Sequence, residues 1–210
     1  MLTRKQWIIV GSLLLVAIIA YDLTTKSSPK ETPESNEMQL GITPNKSAWK
    51  TYHPQNGRFE VLFPTLPQHV AENHPSGVDY TKYDVYLAQE RDGTVYLVSM
   101  TQYPQSYDTG NGEELLDGVV KGALGANIKN QLVHSEKTTY FNLPALEFHI
   151  KNGVFSTRGK AILSDKTLFV ITVMGRDPTR LTSDYATFVN SFEIKDGFQT
   201  PAAEPQSPAK

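Results

Sequence analysis

The side chains able to do chemistry are spread thinly along this chain. Five histidines, His53, His69, His74, His134 and His149, stand apart, and none falls in the H-E-x-x-H spacing that puts two ring nitrogens on one helical face. His69 and His74 bracket a polar segment, but a metal site needs three or four ligands in a defined geometry. His149 alternates with Leu146, Phe148 and Ile150 and is expected to point away from the core, on a solvated face beside Glu147 and Lys151. The chain has no cysteine, which removes disulfides, thiolate zinc and a cysteine nucleophile together. It also lacks a G-x-S-x-G elbow, and no S-x-x-K comes with its companion boxes, so covalent catalysis has no candidate. Gly110-Asn111-Gly112 precedes a helical pattern as a phosphate loop would, yet Glu113 and Glu114 occupy the turn where phosphate would sit. They suit the positive end of a helix dipole instead. Asp79, Asp84, Glu90 and Asp92 lie in or beside one expected hairpin, where alternating charge is ordinary; a glycosidase-type pair would require two carboxylates sharing a cleft. The expectation is therefore no catalytic residue, no cofactor and no metal ligand.

Two features remain once chemistry is set aside. Gly118, Gly122 and Gly125 recur at i, i+4 and i+7, along one side of a helical pattern. Each interior glycine opposes helix formation by about 1 kcal/mol relative to alanine, so the stripe implies a use for the space, namely close approach of a strand, a helix, a partner or a ligand. These three glycines are the candidate partner-contact residues, with packing inside the domain as the plainer alternative. The second feature is a surplus of tyrosines: Tyr80, Tyr86, Tyr96, Tyr103 and Tyr107 cannot all be placed inside, and an exposed patch of them would favour protein or glycan contact.

The elements that must position these residues occupy the middle of a 210-residue chain, enough for one domain with extensions. The formal net charge is -2, and residues 48–196 hold 14 basic against 17 acidic side chains, a net of -3, so no basic field exists to gather nucleic acid. At the N-terminus Arg4 and Lys5 precede an uncharged run from Gln6 to Tyr21 built on Ile, Leu and Val, with Asp22 directly after it. At about 1.5 Å per residue this run spans about 24 Å against a hydrocarbon core of about 30 Å, so length alone fits both an uncleaved anchor and a cleavable signal. Ala17 and Ala20 stand three apart with Ile18 between them, a poor cleavage signature, and residues 1–22 are expected to be a signal-anchor. The flanking charges place the N-terminus in the cytoplasm and the remainder outside, on the periplasmic side of the inner membrane in a Gram-negative cell; secretion after cleavage is the alternative. Residues 23–47 are Thr, Lys, Ser, Pro, Glu and Asn with few large apolar side chains and are expected to be a disordered linker. Residues 197–210, rich in Pro and Ala, are expected to be a disordered tail.

Within 48–196, Asn56-Gly57, Asp92-Gly93 and Asn152-Gly153 each separate runs of strand character and predict hairpins, because tight turns need positive φ. Phe59, Val61 and Phe63 alternate with polar or outward positions, as do Tyr83, Val85 and Leu87 against Asp84 and Tyr86. Leu168 to Val173, apolar but for Thr172, predicts a central strand covered on both faces. Leu115, Leu116, Val119, Val120, Ala123 and Leu124 give a helix over about Gly112 to Asn127 one apolar face. A second helix is predicted after Asp177 as N-cap and Pro178 at the first helical position, carrying Leu181, Tyr185, Phe188, Val189 and Phe192 inward. Hairpin strands, a helix, a meander of about four strands and a terminal helix make an α+β fold: a central antiparallel sheet covered by a mid-chain and a C-terminal helix.

This order, together with Phe59-Glu60-Val61-Leu62-Phe63-Pro64 and the following Pro67, Leu143-Pro144-Ala145, and the closing Phe188-Val189-Asn190-Ser191-Phe192, resembles the PsbP-like superfamily. That superfamily includes the extrinsic P-subunit of photosystem II, a Ran-binding nuclear import factor and the DcrB-like lipoproteins. The matching residues serve packing and turns, so the resemblance implies an α/β/α sandwich and docking to partner proteins, with no catalytic motif to carry over. The chain is thus expected to be a non-enzymatic, membrane-anchored, outward-facing protein-interaction module of the cell envelope. A small-molecule or glycan binding domain is the alternative, and a hydrolase with an unrecognised acidic pair the third class.

Overall fold

The computed structural model describes residues 48–76, 79–110 and 112–195; the expected anchor, linker and tail lie outside them. Among the described residues no helix is long and apolar enough to cross a membrane. The elements follow in the order β1 (Lys50–Tyr52), β2 (Phe59–Phe63), β3 (Gln68–Ser76), β4 (Asp79–Gln89), β5 (Val95–Gln102), α1 (Gly112–Ala126), β6 (Gln131–Tyr140), β7 (Leu143–Asn152), β8 (Phe155–Ser164), β9 (Thr167–Gly175), α2 (Pro178–Ser191) and β10 (Glu193–Ile194). This is the expected α+β order, with one addition. The chain does not stop at the closing helix: β10 returns to pair antiparallel with β2.

Seven strands form one antiparallel sheet, ordered β3-β4-β5-β9-β8-β7-β6, while β1, β2 and β10 form a small second sheet. The large sheet separates two cores. On one face Tyr86, Tyr96, Val98, Met100, Phe169, Ile171 and Val173 meet α2 and the small sheet through Phe59, Val61, Phe63, Phe188 and Phe192. The rings here pack edge to face, as in Trp49 on Tyr96 at 5.2 Å and Phe63 on Phe188 at 5.0 Å between centroids. On the opposite face Leu115, Leu116, Val119 and Val120 of α1 cover Leu146, Phe148, Ile150, Ala161, Leu163, Leu168 and Val170. Phe169, Ile171 and Val173 lie in one core while Leu168 and Val170 lie in the other, which explains the near-continuous apolar run of β9. Removing the side chain of a buried Phe, Leu or Ile from water contributes about 1.5–3 kcal/mol before entropy is counted. The layers are therefore helix, sheet, then helix with a small sheet beside it.

The turns depart from expectation in detail. Gly57 has φ 62°, but it ends a Pro54–Gly57 turn inside a longer connection, residues 53–58, rather than centring a two-residue loop. At β4–β5 the Glu90 and Thr94 backbones bond across Arg91-Asp92-Gly93, with Gly93 at φ 86°, a three-residue hairpin loop closed by glycine. Asn152 pairs with Phe155, so the turn centres on Gly153-Val154, with Gly153 (φ 60°) at the position that type II′ turns reserve for glycine. Tyr86, expected to face outward, is buried in the aromatic core because the small sheet and α2 cover that face of β4.

Candidate functional site

The polar groups that sequence inspection set apart are mostly tied to individual partners. His69 Nε2 lies 2.7 Å from Asp84 Oδ1 and its ring stacks on Tyr86 at 4.3 Å, whereas His74 lies on the opposite face of the same strand, 2.9 Å from Glu72. The two therefore do not meet. His53 sits 3.5 Å from Glu60 and His134 3.4 Å from Glu136. Among the described residues no group of three or more His, Asp or Glu is placed to hold a metal ion. Gly110 (φ 23°) turns the chain into α1, and Glu113 and Glu114 lie in the first helical turn as expected of dipole partners; Glu113 also accepts from Lys137 Nζ at 2.6 Å.

The densest cluster of charge lies where α2 meets the β4–β5 turn. Arg180 donates from Nε to Asp184 at 3.0 Å and from its two terminal nitrogens to Asp92 and Glu90. The Tyr96 hydroxyl stands 2.7 Å from both Glu90 and Asp184. Burial alone would draw the Arg180 value down, but the bond to Asp184 and the neighbouring anionic groups outweigh it, so the guanidinium stays charged. Burial, and then the two carboxylates, push the Tyr96 phenol well above its ordinary range and keep its proton in place. Three carboxylates converge here, but on an arginine that fills the space between them, and the assembly fixes a helix to a turn. Of its members Asp184 is only 1 % exposed, and the sequence pattern did not single it out. Asp177, which it did, accepts from the Thr179 and Arg180 backbone amides as N-cap.

His149 points away from the α1 core, as expected, but it is not solvated. Its ring is half-buried and Nε2 is shielded from water with no hydrogen-bond partner among the described residues. Burial, followed by Arg158, Lys151 and His134, lowers its pKa from the ordinary 6.5. Of the five surplus tyrosines, Tyr86, Tyr96 and Tyr103 are buried, Tyr107 stacks on Tyr103 at 4.6 Å, and Tyr80 is exposed. Not all five are inside, but with Tyr80 alone exposed they make no exposed patch together. In the glycine stripe Gly118 and Gly122 are half-buried, while Gly125 is exposed and a methyl there would meet nothing within 4 Å.

One site lies outside those expectations. The β6–β7 turn places Phe141 (φ 45°) and Asn142 (φ 67°) both in the left-handed region, as type I′ turns require, yet puts a bulky aromatic where Asn or Gly belongs. Phe141 is 82 % exposed. Beside it opens a cleft of about 280 Å³ lined by Tyr140, Phe141, Lys160, Val189, Asn190 and Glu193. Tyr140 is fixed there by its hydroxyl, which donates to the Phe192 carbonyl at 2.7 Å. The signal in sequence was the pair Tyr140-Phe141 directly before Asn142-Leu143-Pro144, two aromatics at a reversal that carries no glycine.

No family model matches this chain, and no curated protein matches it. Among solved structures, the chain is similar to cyanobacterial PsbP (CyanoP) from Synechocystis sp. PCC 6803, with 17 % identity, 78 % of this chain and all of that one covered, and a TM-score of 0.49. The resemblance is one of fold. A protein of unknown function from Pseudomonas aeruginosa, PA94, is similar at 10 % identity over 66 % of this chain and 89 % of its own, with a TM-score of 0.37.

Proposed function

We propose that this chain is a non-enzymatic protein-interaction module of the cell envelope, held by an N-terminal signal-anchor with its domain facing outward, and that it meets its partner through the Phe141 end of the sheet. The observation that carries the docking part is Phe141 itself. A non-glycine residue held at positive φ costs about 1–3 kcal/mol, and a ring 82 % exposed, touching only Tyr140 edge to face at 4.8 Å among the described rings, recovers little of that by burial, so its retention is explained by burial against something else. The adjoining cleft has an apolar side (Tyr140, Val189) and a polar side (Lys160, Glu193), the mixture found where an aromatic anchor is surrounded by a polar rim. The small-molecule and glycan alternative has less support. The cleft, at about 280 Å³, stands at the lower edge of the roughly 300–1,000 Å³ of ordinary ligand pockets, and the tyrosines that motivated glycan contact are mostly core.

The test is a photo-crosslinking side chain at position 141 in cells, compared with one at exposed Leu66, with Phe141→Asn as the matched variant. Crosslinking to a discrete envelope protein from position 141 is expected, with loss of co-purification of that protein in Phe141→Asn. Asparagine tolerates the left-handed backbone, so this variant should be as stable as the parent or up to about 1 kcal/mol more stable. An unchanged yield of the partner with Phe141→Asn would remove this surface from the proposal.

A further inference from the structure

In a domain of net negative charge, residues 127–134 and 150–158 contain no carboxylate, and the fold brings them together at one corner. The first segment leaves α1 and begins β6; the second ends β7, makes the turn at Gly153-Val154 and begins β8. One side chain fastens the two. Asn130 Nδ2 donates to the Ala123 carbonyl in the last turns of α1 at 2.7 Å, and Asn130 Oδ1 accepts from Asn152 Nδ2 at 2.7 Å. At this corner Ile128 is 99 % and Val154 71 % exposed, with Leu132 and Val133 about half exposed beside them. Lys129 follows Ile128 in the chain and is exposed, as is Lys151 near the end of β7; Arg158, half-buried, stands across from His149, and among the described residues none of the three is in an ion pair, while Arg176 lies over the Phe155 ring at 4.7 Å. Of the nearby carboxylates, Glu136 lies against His134 at the edge of the corner at 3.4 Å, while Glu147 pairs with Lys160 and Asp177 caps α2.

We infer that this corner rests on an anionic lipid bilayer, with Ile128 and Val154 entering the headgroup region and Lys129, Lys151 and Arg158 facing its negative charge. The inference builds on the proposed membrane anchor. Two arguments favour a bilayer over a protein partner. The apolar residues stand at the tips of convex connections, where a fluid surface yields but a protein would need matched cavities, and the charged side chains of these two segments are all cationic, as anionic headgroups require. The place where the linker joins the domain agrees. Trp49, at the start of the described chain, packs on Tyr96, and Tyr96 begins a cross-strand row that runs through Val173 and Arg158 to His149 and His134. The chain therefore enters the domain at the end of the sheet that carries the corner. Three residues separate His149 from the turn, roughly 10 Å along a strand. With the corner on the bilayer, the Phe141 turn at the other end of β7 faces away from it.

The absence of cysteine makes a clean probe available. The full chain carrying Val154→Cys, labelled with an environment-sensitive fluorophore, is reconstituted in vesicles of phosphatidylcholine alone or with about one third phosphatidylglycerol; Gln105→Cys, exposed at the opposite end of the sheet, is the control. Emission from position 154 is expected to rise at least about twofold and shift to the blue in anionic vesicles only. Emission from position 105 should not change. Each basic residue near such a surface is worth roughly a fivefold in partitioning, so Lys129→Glu with Lys151→Glu, or about 0.5 M salt, should abolish the rise. A chain that inserts in the vesicles but shows no change at position 154 overturns the inference while leaving the anchor standing. A change that appears only when envelope proteins are added assigns the corner to a protein and overturns it as well. Failure of the full chain to enter vesicles of either composition refutes the anchor instead. In that case flotation of the soluble chain with anionic vesicles decides the corner by itself, and its absence overturns the inference.

Discussion

Arg180 joins parts of the chain that are far apart in sequence, holding Glu90 and Asp92 of the β4–β5 turn to Asp184 of its own helix. Arg180→Leu leaves Asp184, which is almost wholly buried, with the Tyr96 hydroxyl but without its compensating cation and close to two other carboxylates, and should cost about 3–5 kcal/mol in urea unfolding. Asp92→Ala removes a more exposed partner and should cost about 1 kcal/mol or less. Equal effects of the two substitutions would show that the cluster is not the lock described here. His149 gives a pH prediction. Its folded-state pKa lies below the ordinary 6.5, so as pH falls through 6.5 the unfolded chain takes up a proton that the folded chain does not, and stability declines. Above that window the residue contributes no slope. His149→Gln should flatten stability against pH between about 6.5 and the lower folded value; a slope unchanged by the substitution would assign it to other groups. The N-cap Asp177 and Pro178 were legible because their partners are two or three residues away. Asp184 and Tyr96, 88 residues apart, were not, because no local pattern requires a buried carboxylate there.

Among the elements, the glycines separate what spacing suggests from what packing requires. Gly159 lies beneath the Phe148 ring, where a methyl would fall 2.2 Å from the ring carbon Cζ. Gly159→Ala must displace a core aromatic and should cost about 1–3 kcal/mol. Gly125→Ala, whose methyl meets open space on α1, should add a few tenths to about 1 kcal/mol. On the proposal that Gly118 and Gly122 serve a close approach, alanine at one or both should destabilise the domain. Stabilisation by both would mark an unused face, while loss of a membrane partner without loss of stability would mark a docking surface. Thermal unfolding of the four variants, with co-purification for the last two, decides among these. The helical period exposed the α1 stripe because it repeats locally. Gly159 gave no such signal, since its need arises from a cross-strand neighbour, Phe148.

For the whole molecule, every described strand and both helices lie within 48–196, and both cores close inside it. A fragment of those residues should therefore unfold in one cooperative transition, with calorimetric and van't Hoff enthalpies in agreement. A molten fragment beside a well-folded chain from residue 23 to 210 would show that the boundaries are misplaced. The proposed anchor predicts that the chain stays in the membrane fraction and that protease added from outside removes the domain; a soluble mature chain beginning near Tyr21 or Asp22 would make it a secreted protein.

Much of this architecture follows from short-range physics. Period-2 alternation set Phe59, Val61 and Phe63 inward, the 3.6 period gave α1 and α2 their buried faces, and positive-φ residues marked where strands reverse. Those signals are local, so one chain segment suffices to express them, and they determined the α+β order and the lack of a recognisable catalytic array. What lies across the sheet was decided by tertiary structure alone. Tyr86 turned inward because α2 and the small sheet cover its face, and Arg180 found its three carboxylates through strand order rather than sequence distance. Phe141 adopts positive φ because the two-residue link between Tyr140 and Leu143 requires it of whatever residue occupies that position. The basic, apolar corner exists because antiparallel pairing of β7 with β6 on one side and β8 on the other brings the start of β6, the end of β7 and the start of β8 to one end of the sheet, which no periodicity in any one segment could have announced.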